Sequence, residues 1–160
     1  MSDLRKRELP PGEYWFDELA VGDHFKTSGI TITEAHIVGF AGISGDLFDV
    51  HMDDEFARGL GFPGRIAHGL LGLALIDGLK TRSAVRTKSV ATLKWNWSFV
   101  APLFIGDRIQ VHIAVIELRV TKRGDRGIVT LALEARKQDG SVVQEGQTLL
   151  LVEKNPHQVA

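Results

Sequence analysis

An acidic residue and a histidine stand close together in the middle of the chain. Asp46 lies five residues before His51 and directly follows Ser44-Gly45, where a helical pattern breaks. A carboxylate and an imidazole that face each other across a water molecule can move protons at neutral pH, because the pKa of histidine is about 6.5 and burial can raise the pKa of an aspartate. The spacing alone also fits an ordinary structural role, in which Asp46 caps a turn and His51 is a partly buried polar residue.

A second histidine precedes a glycine at the start of an apolar segment. If Gly69 begins a helix, its N–H has no partner within that helix and can hold a developing oxyanion, and glycine lets a ligand approach the backbone closely. We therefore predict a substrate-binding role for Gly69. His68, by contrast, is predicted to be a hydrogen-bonded histidine of the core. Asp77, eight residues after Gly69, lies either at the wet end of the helix or buried, where it would orient substrate.

Other elements must position these residues. Residues 66–81 are apolar nearly all round, so a helix there needs to be enclosed. Thr33 is a good N-cap for a preceding helix, and Asp53 or Asp54 for a short one ending near Gly59. Four strand patterns follow the apolar segment, at residues 91–100, 108–120, 127–137 and 141–153. The pattern predicts an α+β fold in which an antiparallel sheet wraps around a central long helix.

Composition sets the limits of function. The chain has 160 residues, a net charge of −1 and no cysteine. These values argue against a nucleic-acid surface and exclude disulfides, thiolate zinc sites and a thiol nucleophile. No signal peptide or membrane-spanning run is visible, which predicts a cytoplasmic protein that does not bind membranes. Residues 1–13 are predicted to be a mobile arm, residues 14–154 one domain, and residues 155–160 a tail.

Two apparent motifs do not support a cofactor or a metal. Residues 59–64 match G-x-G-x-x-G, but they follow a helical pattern and contain Pro63, so a dinucleotide site is not predicted. His51 lies beside Asp53 and Asp54 without a second histidine three or four residues away, so no metal site is predicted. We expect the protein to use no cofactor.

Several motifs together resemble the MaoC-like dehydratases, which include the (R)-specific enoyl-CoA hydratases. The resemblance covers about residues 14–153. Its segments are residues 16–23, Ser44-Gly45-Asp46, His51, residues 53–57, residues 65–71, Phe99-Val100-Ala101-Pro102 and Gly106-Asp107. The resemblance implies a hot-dog fold, at least a homodimer, and an acyl-CoA site at the subunit interface. It also implies that Asp46 and His51 activate water and that the Gly69 N–H binds the thioester carbonyl.

The chain departs from the family pattern at three positions. Phe48 and Asp49 replace an asparagine and a proline that the family carries between the aspartate and the histidine, and Asp77 replaces a small polar residue. These changes predict a reshaped loop and acyl pocket. Phe48 and Asp77 therefore join Gly69 as candidates for substrate contact, and His68, next to Gly69 in the chain, is included with them as the alternative to its predicted role in the core.

The resulting prediction is the reversible hydration of a trans-2-enoyl-CoA to an (R)-3-hydroxyacyl-CoA by Asp46 and His51. An acyl-CoA thioesterase on the same fold is the first alternative, with Asp46 or Asp77 activating water towards the carbonyl carbon. A non-catalytic acyl-binding subunit is the second, if the altered loop closes the water site. One fold supports several chemistries, so the choice among these three functions depends on the geometry of the site.

Overall fold

The computed structural model describes residues 7–157. Within these residues there are seven strands and four helices, together with a 3-10 helix at Phe16–Glu18. The strands are β1 (Gly12–Tyr14), β2 (His24–Thr31), β3 (Val85–Thr87), β4 (Ser89–Phe99), β5 (Arg108–Val120), β6 (Arg126–Arg136) and β7 (Val142–Glu153). The helices are α1 (Glu34–Ser44), α2 (Asp49–Met52), α3 (Asp54–Gly59) and α4 (Gly69–Thr81).

Five strands form one antiparallel sheet in the order β2-β5-β6-β7-β4. Apolar side chains alternate along β5, β6 and β7, so that one face of the sheet forms the core. The helix α4 packs against β2 and β5 and contributes Leu71, Ile76 and Leu79 to that core. Full burial of one such side chain stabilises the fold by about 1.5–3 kcal/mol. The predicted α+β architecture, a sheet around a central helix, is confirmed.

Local capping positions the segment between α1 and α4. The Thr33 side chain accepts a hydrogen bond from the His36 N–H, and α1 ends at Gly45, whose φ of 77° is in the left-handed region. Asp53 caps α3 through the N–H groups of Glu55 and Phe56. The predicted starts of α1 and α3 are thus confirmed, and the chain leaves α1 directly into the segment that carries Asp46.

The segment between Asp46 and Asp53 is more regular than the loop we predicted. Residues 49–52 form the single helical turn α2, which places His51 on a helix. Asp49 occupies the first helical position, where proline is favoured for its fixed φ and where a carboxylate interacts well with the helix dipole. Asp49 therefore supports a helix start at the position where the family carries proline.

The domain begins earlier than predicted. Residues 1–6 of the predicted arm lie outside the described residues, but Leu9 is only 4% exposed and belongs to the core. Gly12–Tyr14 forms β1, which pairs in parallel with β3. An arm extending to residue 13 is therefore wrong for residues 8–13. At the other end, the Asn155 N–H donates to Asp17 Oδ2 at 3.0 Å, so residue 155 still contacts the domain.

The strand β4 lies at one edge of the sheet and is irregular. Its predicted alternation is interrupted by register shifts between Ser89 and Ala91 and between Thr92 and Lys94. Trp95 and Trp97 are half-buried and pack against the core, whereas Leu93 and Phe99 are 49% and 54% exposed. A single chain therefore presents apolar side chains along an unpaired strand edge.

Across residues 7–157, no helix is both long enough and apolar enough to cross a membrane.

Candidate active site

Asp46 lies on the surface immediately after α1. Its N–H donates to Ser44 Oγ at 3.1 Å, and its Oδ1 accepts from the Phe48 N–H at 3.3 Å. Both bonds arise because Gly45 turns the chain sharply at the end of α1. The turn holds the backbone of Asp46 while its exposed carboxylate keeps a free oxygen.

His51 is held by the backbone of the segment that leads into α4. Its Nδ1 lies 2.8 Å from the carbonyl oxygen of Ile66 and donates to it. This bond places a hydrogen on Nδ1, so the neutral form of the ring has its lone pair on Nε2, which is the nitrogen available for proton transfer. Phe48 packs edge-on against the ring, with ring centroids 6.2 Å apart at 83°. His51 therefore has a fixed orientation and one free nitrogen.

His68 connects these two residues. The side chain is 2% exposed, and its Nε2 donates to the backbone oxygen of Asp46 at 2.9 Å. Its ring stacks on that of His51, with centroids 3.9 Å apart and 29° between the planes, and Phe40 packs on it at 5.0 Å. Among residues 7–157, its Nδ1 has no hydrogen-bond partner. The prediction of a hydrogen-bonded core histidine is therefore correct for one ring nitrogen and wrong for the other.

The three side chains converge on one point. One carboxylate oxygen of Asp46 and one nitrogen from each of His51 and His68 lie within 4.8 Å of one another. Three atoms at the corners of such a triangle can each be within about 2.8 Å of a common centre, which is hydrogen-bonding distance for a water molecule. The structure thus brings the predicted Asp46–His51 pair together and adds His68 to it.

Gly69 is the first residue of α4, as predicted. At this position the N–H has no acceptor within the helix, and the positive end of the helix dipole adds to its attraction for an anion. A Cβ at Gly69 would lie 2.9 Å from Cδ1 of Phe99, so any larger residue would push this aromatic ring aside. Gly69 and His51 line the same cleft of about 270 Å³, whose other walls are mainly apolar.

Gln144 is a residue of this cleft that the sequence analysis did not identify. It is 2% exposed, and its Nε2 donates to the carbonyl oxygen of Gly69 at 3.1 Å while its Oε1 accepts from Trp97 Nε1 at 3.0 Å. A Cβ at Gly72 would lie 2.1 Å from the Gln144 amide, so the glycine makes room for it. An isolated glycine within the apolar helix was the available sequence signal. Gln144 fixes the first turn of α4 against β7 and β4.

Two other candidates lie away from this convergence. Asp77 sits towards the other end of α4, where Lys80 Nζ is 2.7 Å from its Oδ1, and it does not line the cleft. Phe48 is 58% exposed, packs edge-on against His51 and Phe56, and does not itself line the cleft. Substrate contact by either residue stays a prediction without geometric support in the single chain.

The carboxylate of Asp107 is paired with Lys137 next to the segment that leads into α4. Asp107 accepts hydrogen bonds from the Phe104 N–H at 2.9 Å and pairs with Lys137 at 2.7 Å. Burial tends to raise the pKa of Asp107, but the bonds from Lys137 and Phe104 outweigh it and hold the pKa below its usual value. The adjoining Leu103 carbonyl accepts from the Ala67 N–H at 2.8 Å, so this junction anchors the approach to α4.

Comparison with known proteins identifies close resemblances over most of the chain. Residues 17–137 match the MaoC like domain family. The chain is 33% identical over 143 residues to a 3-hydroxybutyryl-CoA dehydratase of Methylorubrum extorquens, covering 88% of this chain and 85% of that protein. It is 30% identical over 116 residues to an (R)-specific enoyl-CoA hydratase of Aeromonas caviae, covering 72% and 83%. Against Protein MaoC of Klebsiella aerogenes, at 34% identity over 112 residues, it spans only 33% of the relative's length.

Solved structures agree with the fold. A MaoC-like dehydratase from Rhodospirillum rubrum superposes with a TM-score of 0.81 at 29% identity, covering 89% of this chain and 99% of that one. A Mycobacterium tuberculosis protein with a double hotdog fold superposes with a TM-score of 0.83 at 21% identity, covering 95% and 48%. The second likeness shows the fold alone, and it confirms the predicted hot-dog architecture.

Proposed function

The chain belongs to the MaoC-like domain family, and from this we propose that it catalyses the reversible hydration of a trans-2-enoyl-CoA to an (R)-3-hydroxyacyl-CoA. The observation that carries the proposal is the convergence of Asp46 and His51 beside a cleft that also exposes the N–H end of α4. Relatives named as an enoyl-CoA hydratase and a hydroxybutyryl-CoA dehydratase support the same reaction class.

Asp46 and His51 would hold the water that reacts. The carboxylate and the free His51 nitrogen each accept one of its hydrogens, which directs an oxygen lone pair towards C3 of the enoyl group. As the C–O bond forms at C3, the pair takes one proton from the water. The same proton is then delivered to C2, so that H and OH are added across the double bond and nothing else is consumed. The reaction requires no cofactor beyond the CoA of the substrate.

Gly69 would stabilise the charge that the addition creates. Attack at C3 moves electron density through the conjugated system onto the thioester oxygen, giving an enolate. The N–H at the start of α4 is already oriented and has no helical acceptor, so it can bind this oxygen without rearrangement. One such donor typically lowers the barrier by roughly 3 kcal/mol. Gln144 holds the peptide on the other side of Gly69 and so maintains this orientation.

A second copy of the chain would complete the molecule. The strand β4 is unpaired along its outer edge and exposes Val90, Leu93 and Phe99 by about half. Apolar side chains on a free strand edge favour pairing with another chain. Phe99 also lines the cleft, so an interface at this edge would border the substrate site. We propose a homodimer, and light scattering coupled to gel filtration would measure its mass.

A single assay tests the proposed reaction. Purified protein is mixed with crotonyl-CoA while the absorbance of the enoyl thioester and the appearance of free thiol are followed together. The proposal expects loss of the enoyl absorbance without thiol release, and loss of that activity in the D46N variant. Thiol release at the same rate would instead identify a thioesterase. If crotonyl-CoA gives neither signal, longer, branched and carboxylated enoyl-CoAs are compared, and inactivity with every one of them contradicts the proposal.

A further inference from the structure

Asp46, His51 and His68 each bring one possible ligand atom, a carboxylate oxygen or a ring nitrogen, within 4.8 Å of the other two. The Nδ1–H of His51 donates a hydrogen bond to the Ile66 carbonyl, and the Nε2–H of His68 donates one to the Asp46 carbonyl. The remaining nitrogen of each neutral ring is therefore an acceptor, and the Asp46 carboxylate accepts as well. A carboxylate oxygen and two imidazole nitrogens this close together are the kinds of ligand that a divalent transition-metal ion accepts.

Both histidines are arranged as metal ligands usually are. In metal sites the second ring nitrogen generally donates to a backbone carbonyl or a carboxylate, which fixes the tautomer and raises the basicity of the ligating nitrogen. His51 and His68 both make such a bond to a carbonyl, at 2.8 and 2.9 Å. The free nitrogen of His68 belongs to a side chain only 2% exposed and has no partner among the described residues. Its burial without a partner is costly unless the site is filled.

The distances are within reach of a transition-metal ion. Zinc binds histidine nitrogen at about 2.0–2.1 Å, so tetrahedral ligands lie about 3.4 Å apart. One nitrogen of each ring and one Asp46 oxygen lie within 4.8 Å of one another, and the exposed Asp46 side chain can rotate to shorten its distance to the rings. Two imidazoles and one carboxylate match the donor types that Zn²⁺ accepts, with a fourth position left for water.

We propose that Asp46, His51 and His68 form a binding site for a divalent transition-metal ion such as Zn²⁺, and that the bound ion inhibits the enzyme. The ion takes the lone pairs of Asp46 and His51 that would otherwise accept hydrogens from the reacting water. The inhibition rests on the proposed hydratase function, whereas the binding site does not. The prediction from sequence that no metal site exists considered only histidines close to His51 along the chain, and His68 is brought in by the fold.

Binding is measured with Zn²⁺ alone on protein from which any affinity tag has been removed. Competition with a chromogenic zinc chelator gives stoichiometry and affinity for the wild type and for the D46N and H68Q variants. The H112Q variant is the matched control, because His112 lies on β5 outside the cluster. We expect one equivalent to bind to the wild type and to H112Q, and affinity to fall about tenfold or more in D46N and in H68Q.

Circular dichroism establishes that each variant is folded. His68 is buried, so if the H68Q chain does not fold, the H51Q variant replaces it in the comparison. The proposal is overturned if the wild type shows no saturable binding of one equivalent. It is equally overturned if either D46N or the folded histidine variant binds Zn²⁺ as tightly as the wild type.

Inhibition is measured separately, with whichever enoyl-CoA the protein hydrates. One equivalent of Zn²⁺ is expected to abolish turnover by the wild type and by H112Q, and excess chelator to restore it. Full activity of the zinc-loaded protein would refute the inhibitory role. If no enoyl-CoA is hydrated, the proposed reaction fails while the binding titration still decides whether the metal site exists.

Discussion

The two ends of the helix α4 differ in how their polar groups are used. At its N-terminal end, the Gly69 N–H lacks a helical acceptor and the buried Nδ1 of His68 has no partner among residues 7–157. Towards its C-terminal end, Asp77 pairs with Lys80 at 2.7 Å, and the Lys80 ammonium lies 5.3 Å from the centre of the Trp95 ring. The N-terminal end of α4 therefore keeps polar groups that a ligand can bind, whereas the two charges towards the C-terminal end are paired with each other.

Cavity size does not distinguish the two ends. The cleft beside His51 and Gly69 measures about 270 Å³, and a second cleft lined by Lys80, Glu13 and Arg86 measures about 230 Å³. What separates them is that the first cleft is lined by His51 and Gly69, and the Gly69 N–H has no acceptor within α4. Unsatisfied buried polar groups are costly, so they persist where a substrate or water uses them.

The largest effect is expected from the acid–base pair. H51A and D46N should each reduce turnover by about a hundredfold to ten-thousandfold, because one proton-transfer group is lost in each. Neither side chain belongs to the apolar core, so circular dichroism and the unfolding midpoint should stay close to the wild type. Turnover near the wild-type value in either folded variant would show that the N-terminal end of α4 is not the reactive end.

A smaller effect is expected from Gln144. Q144L removes the donor to the Gly69 carbonyl and the acceptor for Trp97 Nε1, which should loosen the first turn of α4. We expect kcat to fall about tenfold while KM changes little, since the donor acts mainly on the charge that develops during reaction. The Q144E variant keeps an acceptor for Trp97 but replaces the amide donor, so it should lose kcat while staying folded. Unchanged kcat in both variants would contradict a positioning role.

The opposite end of α4 should respond in stability rather than rate. D77A leaves the ammonium of Lys80, a residue 8% exposed, without its partner and should lower the free energy of unfolding by about 1–3 kcal/mol, measured by urea denaturation. The double variant D77A/K80M removes both charges and should recover most of the loss. Turnover by either variant should stay within about twofold. A tenfold fall in kcat for folded D77A would place Asp77 in the site after all.

The smallest effect is expected from Asp107, whose paired carboxylate lies near the N-terminal end of α4. Because its pKa is lowered in the folded protein, its charged form stabilises the fold above the unfolded pKa of about 3.9, and this contribution is lost as pH falls through the folded value. D107N should therefore be less stable than the wild type by about 1–2 kcal/mol at pH 7. The difference should shrink below about pH 4. A constant difference from pH 7 to pH 3 would show that the charge of Asp107 is not responsible.

Features that depend on neighbouring residues could be predicted from the sequence. The N-caps at Thr33 and Asp53 need only the next three residues, and the helix start at Gly69 follows from a glycine before an apolar run. The long strands β5, β6 and β7 follow from apolar alternation. The Asp46–His51 pair could be predicted for the same reason, because His51 is only five residues after Asp46 in the chain.

Features that depend on folding could not be predicted. The His68 bond to the Asp46 carbonyl spans 22 residues, and the Gln144 bond to Gly69 spans 75. The His68 contact has no local sequence signal, and Gly72 gives only an indirect one for Gln144, so His68 was expected to be fully hydrogen-bonded and Gln144 was missed. The three-residue strands β1 and β3 are too short for any periodicity, and each exists because the other pairs with it.

An oxygen-labelling experiment addresses the reaction at the N-terminal end of α4 most directly. The wild-type protein and D46N are incubated with an enoyl-CoA in H₂¹⁸O, and the masses of the products are measured by mass spectrometry. We expect an intact 3-hydroxyacyl-CoA that carries one ¹⁸O atom at C3, formed by the wild type and not by D46N. Two results would contradict the addition of water by Asp46 and His51. One is ¹⁸O in a free carboxylic acid, and the other is an enoyl-CoA that the wild-type protein leaves unchanged and unlabelled.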